Sequence, residues 1–164
     1  MLIIHCKLKT ILFPGSFNPF TKGHADVVER GLKLFDRVVI AIGYNEQKGG
    51  AEDVTQRQEI IRAIYQEEER VEVMAYSDLT CEAARRCGAC AILRSVRSLK
   101  DYEYELQMAD VNRQLTGIDT VVLFARPELA SLSSSVVREL QHFGHDITPF
   151  LPQDKEKCTH SKDK

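Results

Sequence analysis

Val38-Val39-Ile40-Ala41-Ile42 places five apolar residues in a row with no polar alternation. Such a run reads as a strand buried on both faces, the condition at the centre of a parallel sheet. Upstream, Thr10 to Pro14 is a second short strand that stops at Gly15, and from about Gly23 the residues Ala25, Val28, Leu32 and Phe35 recur at helical spacing. The same alternation continues downstream. Thr55 to Gln66 predicts a second helix with Ile60, Ile61 and Ile64 turned inward, and Val71 to Ala75 a third strand. Asp78 is positioned to cap a third helix, and Ala91-Ile92-Leu93 predicts a fourth strand. Tyr102 to Leu115 predicts a fourth helix with Tyr104, Met108, Val111 and Leu115 on one stripe. Thr120 to Phe124 predicts a fifth strand; Val136, Val137, Leu140 and Phe143 then form the inner face of a last helix, closed by Gly144. Strands separated by helices of roughly 10 to 15 residues require crossover connections. The expected fold is therefore α/β, a doubly wound five-stranded parallel sheet of Rossmann-like form, with ligands bound beyond the carboxyl ends of the strands.

At 164 residues the chain has the length of one domain, expected to span 1–164 with an N-terminal extension over 1–9 and a polar, lysine-rich tail over 153–164. An apolar fraction of 43%, a charged fraction of 28% and a net charge of -2 lack the imbalance of a disordered or nucleic-acid-coating protein. No stretch approaches the roughly 20 apolar residues needed to span a bilayer. The opening MLIIHCKLK is too short and too interrupted by charge for a signal peptide. A cytoplasmic protein without membrane or nucleic-acid partners is expected. Cys6, Cys81, Cys87, Cys90 and Cys158 are odd in number and scattered, unlike a secreted disulfide framework. Cys87 and Cys90 lack the two further ligands a zinc site needs, so they read as reduced, partly buried thiols, and no side-chain metal site is expected.

Three segments at strand ends carry chemistry. The first is Pro14-Gly15-Ser16-Phe17-Asn18-Pro19-Phe20-Thr21-Lys22-Gly23-His24. It leads into a helix N-terminus, where free N–H groups and the helix dipole favour phosphate and where Thr21 and His24 add side-chain donors. A plain strand-to-helix turn would use the same Gly and Pro residues. Second, Ser133-Ser134-Ser135 stands before the last helix with Arg138 in its first turn. One serine suffices as a cap; three hydroxyls and an arginine suit the outer phosphates of a nucleotide. Third, Arg94-Ser95-Val96-Arg97 follows the fourth strand, and each arginine can fork a phosphate. Lys48 lies at the matching place after the second strand, as either an anion ligand or solvated surface. Glu105 reads either as a surface acid or as an acceptor for a ribose hydroxyl.

Thr21-Lys22-Gly23-His24 paired with Ser133-Ser134-Ser135-x-x-Arg138 resembles the nucleotidyltransferase superfamily that carries a T/H-x-G-H signature. Pro14 to Pro19, Arg94-x-x-Arg97, Asp101-Tyr102-Glu103-Tyr104-Glu105 and Asn112-Arg113 together resemble the bacterial phosphopantetheine adenylyltransferases, over about Thr10 to Pro152. The resemblance implies transfer of the adenylyl group of ATP to 4'-phosphopantetheine, giving dephospho-coenzyme A and pyrophosphate with Mg²⁺ present, the penultimate step of coenzyme A biosynthesis, in a homohexamer of paired trimers. It implies His24 and Thr21 as catalytic residues. ATP would meet Ser16, Phe17, His24, Ser95, Val96, Arg97, Glu105 and the segment Leu129, Ala130, Ser131, Leu132, Ser133, Ser134, Ser135. The acceptor would meet Ser16, Lys48, Thr80 and Arg94. The chain departs from the family pattern at Ser95, usually Gly, at Ser16, commonly Thr, at Asn18, usually Asp, and at Leu129, often aromatic. Altered nucleotide affinity with unaltered chemistry is expected. An already ionised acceptor phosphate needs no general base, so catalysis reduces to positioning and charge. Adenylyl transfer to nicotinate mononucleotide, cytidylyl transfer to a phosphorylated alcohol, and a silent nucleotide sensor are the competing readings.

Overall fold

The computed structural model describes residues 8–45 and 51–152, apart from the side chains of residues 51 and 52. Lys48, residues 1–7 of the extension and residues 153–164 of the tail lie outside the described residues. In chain order the elements are β1 (Thr10–Gly15), α1 (Lys22–Leu34), β2 (Arg37–Gly43), α2 (Ala51–Ile64) and β3 (Val71–Tyr76). These are followed by α3 (Thr80–Arg86), β4 (Ala91–Val96), α4 (Leu99–Thr116), β5 (Asp119–Phe124) and α5 (Ser134–His142).

The five strands are all parallel, in the order β3-β2-β1-β4-β5. The chain winds from β1 outward through β2 to β3, then crosses back to lay β4 on the other side of β1. Winding therefore reverses between β1 and β4, which opens a crevice at their carboxyl ends. The run that suggested this sheet behaves as its composition requires: Val38, Val39, Ile40, Ala41 and Ile42 are each 0% exposed. Full burial of a Val or Ile side chain contributes about 1.5–3 kcal/mol, so this one strand anchors the domain. Strand pleating sends alternate residues to opposite faces. Ile11, Phe13, Val38, Ile40, Ile42 and Leu93 pack with Val27 and Val28 of α1 and Ile61 of α2. Leu12, Val39, Ala41 and Ile92 meet Ala83 and Ala84 of α3 on the other face.

Several local expectations change. Helix α2 begins at Ala51, four residues before Thr55. Its inward stripe is Val54, Ile61 and Tyr65; Ile60 is 52% exposed, because one residue turns a helix by about 100° and carries Ile60 off that stripe. Ile64 packs at the margin of the core, as expected. Asp78 does not cap α3: the N-cap position falls on Leu79, which makes no side-chain cap, and the Asp78 carboxylate is held by the Arg86 fork at 2.6 and 3.1 Å. Strand β4 runs on through Arg94, Ser95 and Val96, so only Arg97 follows it. On α4, Tyr104, Val111 and Leu115 are exposed, and the buried residues are Glu105 and Asn112. Polar residues are tolerated there because that face covers the crevice and not the apolar core. On α5, Val137 is fully buried while Val136 and Phe143 are exposed, since the helix touches the domain along a single line. Gly144 does follow its end, in the left-handed region at φ 77.

Cys81 is buried, Cys87 half-buried and Cys90 exposed, all three as free thiols. Burial pushes the Cys87 thiol upward, away from a reactive thiolate, and its Sγ donates to the Ala84 carbonyl at 3.4 Å. No helix among the described residues is long and apolar enough to cross a membrane.

Candidate active site

Strand β1 ends at Gly15 in the middle of the sheet, and the chain passes through Ser16 to Phe20 into α1. Thr21, extended at φ -109 and ψ 169, is the N-cap, and His24 takes the third helical position. The Thr21 N–H donates to His24 Nδ1 at 2.9 Å, and Thr21 Oγ1 lies 3.1 Å from the same nitrogen. A backbone N–H can only donate, so Nδ1 is an acceptor and the neutral ring carries its proton on Nε2. The ring sits among Phe17, Phe20 and Phe13, with centroids at 5.1, 5.4 and 6.3 Å. Burial, then the charges of Arg97 and Arg94, lower its pKa from 6.5 to about 4. His24 is thus a fixed, uncharged Nε2–H donor at neutral pH. Thr21, expected as a second donor to phosphate, is 1% exposed with its hydroxyl against Nδ1, a geometry that orients His24.

The loop from Pro14 to Pro19 is held by its carbonyls. Arg94 Nη1 donates to Pro14 O at 2.7 Å, Arg57 Nη1 to Ser16 O, Arg138 Nη1 to Asn18 O at 2.5 Å, and Ser134 Oγ to Pro19 O at 2.9 Å. Arg94 also forks Glu105, Nε to Oε2 at 2.7 Å and Nη2 to Oε1 at 2.5 Å. The expectation of a free phosphate fork at Arg94 and a ribose acceptor at Glu105 is altered by this pair: Glu105 is 6% exposed and both its oxygens are engaged. A guanidinium has five N–H donors, of which three are engaged here, leaving two for an anion.

Beside the loop opens a cavity of about 650 Å³. Of the residues expected to bind nucleotide it gathers Ser16, Phe17, His24, Ser95, Arg97, Glu105, Leu129 and Leu132 to Ser135; Thr21 and Arg94 line it too. Val96 does not line it, being 2% exposed in the strand core, and neither do Ala130 and Ser131 in the turn before α5. The three serines divide their work. Ser133 caps α5 by accepting from the Val136 N–H at 3.2 Å, while Ser134 and Ser135 belong to the first turn of the helix and not to the loop before it. Ser135 accepts from Arg138 Nη2 at 3.1 Å. Charged residues on the wall are Arg94, Arg97, Lys100, Arg126 and Arg138 against Asp26, Asp101 and Glu105, five cations to three carboxylates. That excess suits a polyphosphate.

A second cavity of about 240 Å³ shares Pro14, Gly15, Ser16, Arg94, Tyr104 and Glu105 with the first and runs on to Tyr76, Thr80 and Asn112. Thr80 belongs here, its Oγ1 3.0 Å from the Tyr76 hydroxyl. The two chambers have a common wall at Ser16 and Arg94. Sequence reasoning missed the Asp26–Arg126 ion pair at 2.6 Å and Arg57. Arg126 was open to discovery as a cation just past the end of β5; Arg57, in mid-helix, carried no such signal.

The sequence profile of the Cytidylyltransferase-like family matches residues 12–140. A phosphopantetheine adenylyltransferase of Porphyromonas gingivalis is 50% identical over 147 residues, covering 90% of this chain and 96% of that protein. One from Bacteroides thetaiotaomicron is 44% identical over 149 residues, covering 91% and 99%. Among solved structures, a bifunctional NMN adenylyltransferase/ADP ribose pyrophosphatase from Francisella tularensis superposes with a TM-score of 0.65 at 16% identity, over 92% of this chain and 46% of that one, which speaks for the fold alone. With the family profile spanning residues 12–140 and relatives of 44–50% identity covering about nine-tenths of its length, the chain belongs to the phosphopantetheine adenylyltransferases of the Cytidylyltransferase-like family.

Proposed function

We propose that this protein transfers the adenylyl group of ATP to the phosphate of 4'-phosphopantetheine, giving dephospho-coenzyme A and pyrophosphate. The observation that carries the reading is the common wall: Ser16 and Arg94 line both chambers, so a nucleotide in the larger and an acceptor phosphate in the smaller meet there. An acceptor phosphate oxygen attacks the α-phosphorus, a new P–O bond forms, and the bond to the bridging α,β oxygen breaks as pyrophosphate leaves. His24 Nε2–H stabilises charge on the α-phosphate oxygens without gaining or losing a proton, because its ring stays neutral. Arg94, steadied by Glu105 and Pro14 O, turns its remaining donors to the acceptor phosphate. Lys48 is assigned to the same phosphate by resemblance alone. Arg97, Arg138 and the amino end of α5 face the departing pyrophosphate.

Among the described residues, the Mg²⁺ implied by the resemblance would meet no cluster of carboxylate, histidine or cysteine ligands. Asp26 is engaged by Arg30 and Arg126, Asp101 by Arg97 and Glu105 by Arg94, so the ion would ride on the oxygens of ATP, and no step is assigned to it. A homohexamer acting in the cytoplasm belongs to the same reading. Self-association would cover the exposed apolar side chains of α4, among them Leu99, Leu106 and Leu115.

Pyrophosphate release, with ATP or CTP and each acceptor supplied in turn, tests the assignment. Product is expected with ATP and 4'-phosphopantetheine and not with nicotinate mononucleotide, CTP or pantetheine lacking its phosphate. Turnover confined to another pair would replace this function, and no turnover with any pair would favour a nucleotide sensor.

A further inference from the structure

We propose that Arg57 is a positioning residue, which touches neither chamber and serves the reaction by aiming the Phe17 N–H into the nucleotide cavity. The inference rests on the reading of the β1–α1 loop as the phosphate site. Arg57 stands on α2, where Asp53 accepts from its Nη2 at 3.0 Å and from its Nε, through the backbone oxygen, at 3.2 Å. With the guanidinium fixed in this way, Nη1 donates to Ser16 O, 41 residues away in sequence, and the Arg57 side chain is only 12% exposed.

The Ser16 carbonyl and the Phe17 N–H belong to one planar peptide unit and point in opposite directions. Ser16 and Phe17 line the cavity whereas Arg57 lies outside it. A carbonyl drawn towards α2 therefore turns the N–H the other way, to the cavity, where it has no hydrogen-bond partner among the described residues. The next torsion is also unusual: Phe17 takes φ 48, a left-handed conformation that bulky residues seldom adopt. Its ring is held by Phe13, Phe20 and His24, so the peptide is fixed by aromatic packing on one side and by Arg57 on the other. Such locally uncommon geometry persists only where the surroundings determine it, and here it presents a donor beside His24.

The full-length chain with Arg57→Ala and Arg57→Lys tests this, by turnover, KM for each substrate and thermal melting. Arg57→Ala is expected to lower kcat about tenfold to thirtyfold, with KM for 4'-phosphopantetheine within threefold, since part of one preorganised donor is lost. Arg57→Lys, whose ammonium can still bond the carbonyl, is expected to lie within about threefold of wild type. A purely structural role would lower the melting temperature alone and leave turnover per folded molecule intact. Turnover of Arg57→Ala within twofold of wild type, or a Lys variant no better than Ala, overturns the proposal. If Arg57→Ala does not fold, Arg57→Gln takes its place under the same criteria. If the wild-type protein releases no pyrophosphate, that failure belongs to the proposed function, and calorimetric titration with ATP decides on Arg57: tenfold weaker binding in Ala and wild-type binding in Lys supports it, equal affinities overturn it.

Discussion

Gly15→Ala is the sharpest test of how the aromatic packing governs the site. Gly15 does not adopt a positive φ, so the backbone accepts alanine, and the cost must come from contact. A Cβ at this position would stand 2.8, 2.9 and 3.2 Å from Cζ, Cε1 and Cε2 of Phe17, whereas carbon contacts settle at about 3.5–4.0 Å. The ring has to retreat by more than half an ångström at its tip by this comparison. It cannot retreat into solvent: Phe17 is 2% exposed and meets Phe13 at 5.2 Å, Phe20 at 5.5 Å and His24 at 5.1 Å. Overpacking of this kind costs about 1–3 kcal/mol. Displacement passed on to the imidazole moves Nε2 relative to the α-phosphate, and an error of that size lowers kcat by about tenfold or more. Urea denaturation at pH 7.5 and turnover at saturating substrate measure the two effects. Adding Phe17→Leu, which removes the ring, should relieve the contact. If Gly15→Ala keeps its stability within about 0.5 kcal/mol and its turnover within twofold, the aromatic cluster is not rigid and the reasoning fails.

Removing His24 with His24→Ala should lower kcat by roughly 10² to 10³, the value of one preorganised donor, and near-wild-type turnover would exclude it from the reaction. Its protonation also sets a pH dependence. With pKa 6.5 unfolded and about 4 folded, the unfolded chain takes up the proton first, so stability present above pH 6.5 is lost as pH falls towards 4. The span is about 3 kcal/mol, and urea melts at pH 7.5 and 4.5 should show that loss in wild type and not in His24→Ala. Arg94→Lys keeps the charge but cannot reproduce the fork to Glu105 together with the bond to Pro14 O. Calorimetric titration with 4'-phosphopantetheine should read a loss of about 1.5–3 kcal/mol, and unchanged affinity would detach Arg94 from the acceptor. Tyr65 carries a buried hydroxyl with no partner among the described residues, its pKa pushed up by burial and by Glu29. Tyr65→Phe should therefore raise stability by about 1 kcal/mol, whereas a loss of similar size in chemical denaturation would mean that the hydroxyl is bonded.

What was legible in the sequence was what neighbouring residues decide. Val38 to Ile42 announced a strand buried on both faces because no residue among them can face water. The turn at Gly15 and a serine cap within Ser133 to Ser135 were readable because each rests on contacts within a few residues, whereas Thr21 read as a phosphate donor and only the fold showed it to be the N-cap of α1. The site motifs stand at strand ends because parallel topology exposes those ends together. Tertiary structure decided which face of an element points inward and which charges meet. Periodicity marked Tyr104, Val111 and Leu115 as one stripe of α4 and was silent about what lay beneath; the fold laid the polar crevice there, so Glu105 and Asn112 are buried in their place. Arg94 and Glu105 are 11 residues apart on different elements, Arg57 and Ser16 are 41 apart, and Arg138 and Asn18 are 120 apart. Such pairs are absent from any local window. Period and turn chemistry act through bonds and neighbours along the chain, whereas ion pairing and burial act through space, and the space is defined only once the strands have crossed over one another.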